Sequence, residues 1–255
     1  MKVVLLGSGN TATVLGGMIK NAGHQVEQVL SRNIDHAKLL AQQLNCDYDL
    51  LSAPAYKDAD IYIIALHDHV LENLDRFTGL KDKFIVHTAA GVPMEVLAKA
   101  SPNHGVLYPL QTLSKYVEHT PVIPLMVDAN NSENLDTLFT FARSLSNLVS
   151  HVNDKQRLAY HVAAVFAANY ANHMFAIAEI YCQRENLDFK NLHPIINELC
   201  VKVNQYSPFL TQTGPAIRDD VFTISKHLEA LNAYPELKYI YLKITESIIK
   251  IHGKR

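Results

Sequence analysis

Lys2-Val3-Val4-Leu5-Leu6 is a short apolar run rich in β-branched residues, and Gly7-Ser8-Gly9-Asn10-Thr11-Ala12 follows it without a break. From Thr13 to Asn21 the apolar positions fall at helical spacing, with Val14, Leu15, Met18 and Ile19 on one side. A strand, a G-x-G-x-x-A turn and an amphipathic helix in that order form a dinucleotide-binding unit. Gly7 lets the chain turn tightly off the strand, Gly9 lets backbone approach a pyrophosphate, and Ala12 keeps helix and strand close. The helix N-terminus then offers unpaired N–H groups and a positive dipole end to the phosphates. The bare alternative is a tight βα turn in some other α/β domain.

The next 140 residues repeat the alternation. Apolar runs at 25–30, 61–66, 84–87, 105–108, 122–127 and 148–152 read as strands, and 34–44, 71–77, 94–100 and 132–146 as helices. Such alternation predicts a doubly wound parallel sheet with right-handed crossovers and ligands at the carboxyl ends of the strands. The cofactor contacts expected there are Gly7, Ser8, Gly9, Asn10 and Thr11 after the first strand and Ser31 and Arg32 after the second. Leu66 and His67, then Thr88 and Ala89, follow within the later strand ends 66–69 and 88–91, and 108–111 is a further strand end on the same side. Near residue 152 the pattern changes. Asn153 and Gln156 make a capping box, and an alanine-rich helix runs to about Gln183, apolar nearly all round and so expected to be buried on most sides. Further helices are expected at about 193–206, 219–232 and 235–251. The division is therefore 1–152, a nucleotide-binding domain, and 153–255, an all-α domain for substrate and dimer contacts; 255 residues at 48% hydrophobic supply core enough for two.

An NAD site places Asp or Glu at the end of the second strand to bind the ribose 2′-OH. This chain has Ser31-Arg32 there, a hydroxyl and a guanidinium that suit a 2′-phosphate, so NADP is the expected cofactor, unless Arg32 is a solvated loop residue. Hydride transfer then needs a positioned proton donor. His161 and Asn169 stand out on the alanine-rich helix, His161 as donor and Asn169 as an orienting hydrogen-bond partner; the alternative is that both are satisfied core residues at the domain seam. Arg218, after the rigid Gly214-Pro215 turn, is the candidate grip on a substrate carboxylate, or else caps structure with Asp219 or Asp220. Gln111 is a further candidate for the cleft. His67-Asp68-His69 supplies too few ligands for a metal, and none is expected.

Net charge is −2, with Lys+Arg 23 against Asp+Glu 25 and no block of like charge, so neither nucleic acid nor membrane is an expected partner. Three separated cysteines and an opening strand without signal-peptide character point to a reduced, cytoplasmic protein.

Together, Gly7-Ser8-Gly9-Asn10, Tyr108-Pro109-Leu110-Gln111-Thr112, the helix of His161 and Asn169, and Thr213-Gly214-Pro215 with Arg218-Asp219 resemble a Rossmann-like family whose helical half is labelled DUF2520. The family is described as NADP oxidoreductases, similar to pyrroline-5-carboxylate reductases and F420-dependent NADP oxidoreductases, with some relatives acting as an alternative ketopantoate reductase. The resemblance implies a helical domain of the 6-phosphogluconate-dehydrogenase C-terminal type and a homodimer. This chain departs from the family pattern in Tyr108, where a histidine is expected, and in Asp219-Asp220, where Gly-Asp is expected. The catalytic lysine of related β-hydroxyacid dehydrogenases would fall at Val165. The expected activity is NADPH-dependent reduction of a small 2-keto acid such as ketopantoate. The alternatives are an imine such as pyrroline-5-carboxylate, or a non-catalytic NADP-binding protein.

Overall fold

Val3, Val4, Leu5 and Leu6 have no exposed surface, which puts Lys2–Leu6 (β1) in the middle of a sheet. The computed structural model describes residues 1–52, 54–73, 77–113 and 121–253, which pack as two units, Met1–Tyr170 and Ala171–Arg255. In the first unit β1 lies between Gln25–Ser31 (β2) and Ile61–Ile64 (β4), parallel to both. With Asp47–Leu50 (β3), Ile85–His87 (β5), His104–Pro109 (β6), Leu125–Ala129 (β7) and Val149–His151 (β8), the sheet order is β3-β2-β1-β4-β5-β6-β7-β8. Among the described residues every pairing is parallel except β6 with β7.

Asn10–Asn21 (α1), Ile34–Leu44 (α2) and, after the short Asp68–Leu71 (α3), Ser132–Leu145 (α4) provide the helical cover of one face. Leu15, Ile19, Leu40, Phe141 and Leu138 from these helices form one core with Leu5, Val29 and Leu107 of the sheet. The opposite face buries Val4, Leu6, Tyr62 and Ile64 under Leu71, Leu80 and Leu97. Full burial of such side chains contributes about 1.5–3 kcal/mol each, so the sheet is the stable frame of this unit.

The carboxyl ends of β1, β2 and β4 converge on one residue. Gly7 has φ +129 and donates its N–H to Leu30 O at 2.7 Å, while Ala65 N–H bonds Leu6 O at 2.8 Å. A Cβ on Gly7 would lie 2.3 Å from Ala65 O. No other residue type fits there without parting the strands.

Several expectations need revision. The polar segment Asp47–Leu50 pairs with β2 as an edge strand that its composition hides. The sheet is not uniformly parallel, because β7 runs against β6. Residues 94–99 form a 3₁₀ helix, and 74–76 of the helix expected at 71–77 lie outside the described residues. The long helix is not uniform either. The capping box forms as expected, with Asn153 Oδ1 accepting from Gln156 N–H at 3.0 Å and Gln156 Oε1 from Asn153 N–H at 3.1 Å. Asp154–Ala164 (α5) is followed by a π-helical turn, Val165–Tyr170, and the α-helix resumes as Ala171–Arg184 (α6). Nor is it buried on most sides: Leu158, Tyr160, Val162, Phe166 and Tyr170 are exposed in the single chain. Its hold on the first unit runs through polar groups of α5, described below, rather than through an apolar stripe. The first unit therefore continues past the end of the sheet at His151 to Tyr170.

The second unit is helical throughout: α6, His193–Gln205 (α7), Val221–Ala230 (α8) and Pro235–His252 (α9). Arg184 pairs with Glu236, and Tyr234 donates to Glu185 at 2.8 Å. Its buried apolar side chains among the described residues are Cys182, Ala216 and Leu237. A cavity of about 470 Å3, lined mainly by apolar groups such as Ile177, Leu237 and Ile244, opens within it.

Gly7→Ala should lower unfolding free energy by at least about 2 kcal/mol, from the positive φ and the overlap with Ala65 together. Gly9→Ala, whose Cβ meets nothing within 4 Å, should stay within about 1 kcal/mol of the parent. Urea unfolding of both variants checks this; equal losses would remove the role given to Gly7.

Candidate functional site

The strand ends of the first unit enclose a cavity of about 980 Å3, within the range of small-molecule and cofactor clefts. The turn 7–11 forms its floor, Ser31 and Arg32 one end, Leu66 and His67 the wall after β4, and Thr88 and Ala89 the wall after β5. Tyr108 from β6 and His161 from α5 close the other end.

At the turn, Gly9 caps α1 in extended conformation without a side-chain bond to the first helical turn. Its open side leaves room for a ligand's phosphates to meet the backbone. Ser8 Oγ lies 2.8 Å from Ser31 Oγ, tying the turn to the end of β2, and Ser31 Oγ also accepts Asn33 N–H at 3.3 Å. Arg32 is exposed and makes no ion pair among the described residues. No carboxylate from the end of β2 lines the cleft. A small floor, a helix N-terminus and a guanidinium without an ion pair among the described residues suit a dinucleotide with a phosphate on its adenosine ribose.

At the far end the hydroxyl of Tyr108 lies 3.0 Å from His161 Nδ1, with the rings edge to face. Burial pushes the Tyr108 phenol up, so it is held as the neutral hydroxyl. Beneath this pair α5 is stapled to the loop after β5. Arg157, 1% exposed, donates Nη2–H to Val92 O at 2.6 Å and Nε–H to Ala90 O at 3.2 Å. Its Nη1 lies 2.8 Å from Asp154 Oδ1, and the Asp154 carboxylate also accepts Met94 N–H at 3.1 Å. Arg157 and His161 are four residues apart on α5, so they share a face. His87 sits fully buried beside this cluster; burial, then the Arg157 charge, pushes its imidazole down to about 3. Its Nδ1 accepts Ala89 N–H at 3.2 Å, shaping the same loop.

Comparison with known proteins agrees with this geometry. Residues 2–91 match the family described as NADP oxidoreductase, coenzyme F420-dependent, and residues 123–248 match DUF2520, a domain of unknown function. A solved structure from Bacteroides fragilis, assigned as an NADP oxidoreductase, is 36% identical, with 99% of this chain and 98% of that one covered and a TM-score of 0.91. The chain belongs to this NADP-dependent oxidoreductase family. Two further folds are similar at low identity. A 1-pyrroline-5-carboxylate reductase from Streptococcus pyogenes is 16% identical, covering 100% and 99% of the two chains with a TM-score of 0.62. A reductive aminase from Aspergillus terreus, in complex with NADPH and ethyl-5-oxohexanoate, is 13% identical, covering 100% and 96% with a TM-score of 0.74. Among curated proteins none matches the chain.

Within this oxidoreductase, every cofactor contact named from sequence lines the one cleft, and His161 joins them. Asn169 does not; it is exposed in the π turn. Because that turn replaces regular α-helix, position 169 does not keep the α-helical phase set at 161. Arg218 belongs to the second unit, beside Asp220. There the Asp220 carboxylate, not Arg218, caps α8 by accepting Thr223 N–H at 3.0 Å; that bond, more than the Arg218 charge, lowers its pKa. Gln111 is exposed and accepts its neighbour's N–H, outside the cleft. Asp68 and Tyr108 also line the cleft, at strand ends where ligands are expected, whereas Asn33 and His36 line it unannounced. The strand-end rule, extended one turn into the following helix, would have found these two. His67 and His69 stack 5.9 Å apart, and among the described residues no three metal-ligating side chains cluster.

His87 gives the fold a pH dependence. The unfolded chain protonates it near 6.5 and the folded chain near 3, so its contribution is complete above about pH 6.5 and is lost as pH falls toward 3. Between pH 7 and 5 that amounts to about 2 kcal/mol. Urea unfolding at both pH values should show this loss in the parent and not in His87→Asn; identical losses would contradict it.

Proposed function

We propose that the protein is an NADPH-dependent reductase of a small acid bearing a C=N or C=O bond, with a cyclic imine acid first. The observation that carries this reading is the Tyr108–His161 pair, 3.0 Å apart, in the same cleft as the glycine turn. When bound, NADPH supplies a hydride to the unsaturated carbon. The bond's electron pair then moves onto nitrogen or oxygen, where a proton must arrive. His161 delivers it from Nε2 as the imidazolium, with Nδ1–H donated to the Tyr108 hydroxyl oxygen, and is left as the neutral imidazole. Tyr108 holds the ring and its tautomer, while Arg157 and Asp154 hold the helix and the loop facing it. Donor and cofactor residues all belong to the first unit. The ketopantoate-like acid expected from sequence finds no support in the comparisons. The neighbours with a substrate in their names include pyrroline-5-carboxylate reductases and an imine reductase, which favours the imine. Asn169 and Arg218 are left without a role in the proton transfer.

NADPH oxidation with a panel of cyclic imine acids and 2-keto acids tests this. Turnover should appear in one class, and His161→Ala should lower it about 10²–10⁴-fold with NADPH affinity unchanged. Binding of NADPH with no turnover across the panel would instead identify a non-catalytic binder.

The dimer also belongs to this reading. A helical unit that buries little of its own apolar surface, leaving Ile195, Leu210 and Phe222 exposed, cannot offset the entropy of ordering its chain alone. A second copy is the partner that covers it. Sedimentation equilibrium should give twice the 28.5 kDa chain mass; a monomer at micromolar concentration would refute it.

A further inference from the structure

We infer that His36 is a second, titratable cation for the 2′-phosphate of NADPH, so that discrimination against NADH weakens as pH rises. The inference rests on the reading of the Ser31-Arg32 end as the ribose end of the cofactor cleft.

Three observations place His36 there. Asn33 Oδ1 accepts the N–H groups of Asp35 at 2.9 Å and His36 at 3.0 Å, which fixes the first turn of α2. That turn sets His36 on the wall of the cleft beside Arg32 and Asn33. Its ring is exposed and bonds no partner among the described residues, so both nitrogens are available to a ligand. A monoester phosphate has its second ionisation near pH 6, and a guanidinium beside it favours the dianion. Arg32 forks onto two of its oxygens at most, leaving the third to a second donor.

The sign follows from the chemistry. A neighbouring dianion favours the imidazolium, so the contact is at full strength in mildly acidic solution and is lost as the ring gives up its proton above neutrality. The other titratable groups lining the cleft are Arg32 at the end of β2, His67 and Asp68 after β4, Tyr108 on β6 and His161 on α5; Asp35 and Lys38 are neighbours on its own helix. Arg32 keeps its charge throughout. The groups after β4, on β6 and on α5 act on NADH and NADPH alike, so they cancel in the ratio of the two affinities.

Isothermal titration of the full-length protein with NADPH and with NADH, from pH 6 to 8.5, tests the inference. The ratio of Kd for NADH to Kd for NADPH should fall about five- to tenfold across that range. His36→Lys should keep the ratio high and without that fall, and His36→Gln should keep it low and without that fall. Titration of the phosphate itself strengthens NADPH binding with rising pH and survives in both variants, so it cannot imitate the effect. A parent ratio that falls no more than that of His36→Gln would overturn the role of His36 while leaving the cofactor reading intact. Failure of the parent to bind NADPH at any pH would overturn both.

Discussion

The first unit depends on how closely β1 and β4 approach at the point where the chain leaves the sheet. Gly7 spends its missing side chain there: any Cβ would occupy the space of Ala65 O. Because the strands stay together past that point, the loops after β1, β2, β4, β5 and β6 open on the same side, and one cleft forms instead of several shallow ones. The floor of the cleft and the stability of the sheet are thus set by the same steric fact. Gly9, two residues on, has the opposite character, since its freedom faces outward and serves a ligand rather than the fold.

A second feature, polar and buried, extends the unit beyond its sheet. Arg157 reaches the carbonyls of Ala90 and Val92, and Asp154 receives Met94 N–H. A guanidinium with so little exposure is costly unless it is paired; here two carbonyls take Nε and Nη2, and the Asp154 carboxylate lies against Nη1 as its counter-charge. Removing one partner would leave the rest unpaired in a dry place. Burial, helped by the Arg157 charge and opposed by Asp154, depresses His87, which keeps that ring neutral and a hydrogen-bond acceptor for the loop.

Where the chain alternates strongly, the fold could be read ahead of the structure. β1, α1 and α2 follow their apolar spacing closely, because a face buried at regular intervals leaves an unambiguous period. The misses have physical causes. Asp47–Leu50 is an edge strand with little to bury, so it carries no apolar signature. The reversal of β7 leaves no trace in a period of two, which is the same for either direction. The π turn falls in an alanine-rich stretch whose uniform composition hides a change of phase. At the site, glycines and Ser31-Arg32 announce themselves because their chemistry is local. Tyr108 is legible as a strand-end residue and as a departure from pattern; that it meets His161 is a long-range fact. Arg157 goes unremarked in the sequence, though its spacing of four from His161 on one helix was available to be read.

Arg157 has one more consequence. The loop that walls the cleft and the imidazole that faces it are both referred to a single rod, α5, instead of to separate parts of the scaffold. When two surfaces are gauged from one datum, movement of the datum displaces them together and their mutual spacing is preserved. Thermal breathing of the sheet, or the slow drift of sequence over generations, can therefore carry the whole mouth of the cleft along without changing its bore.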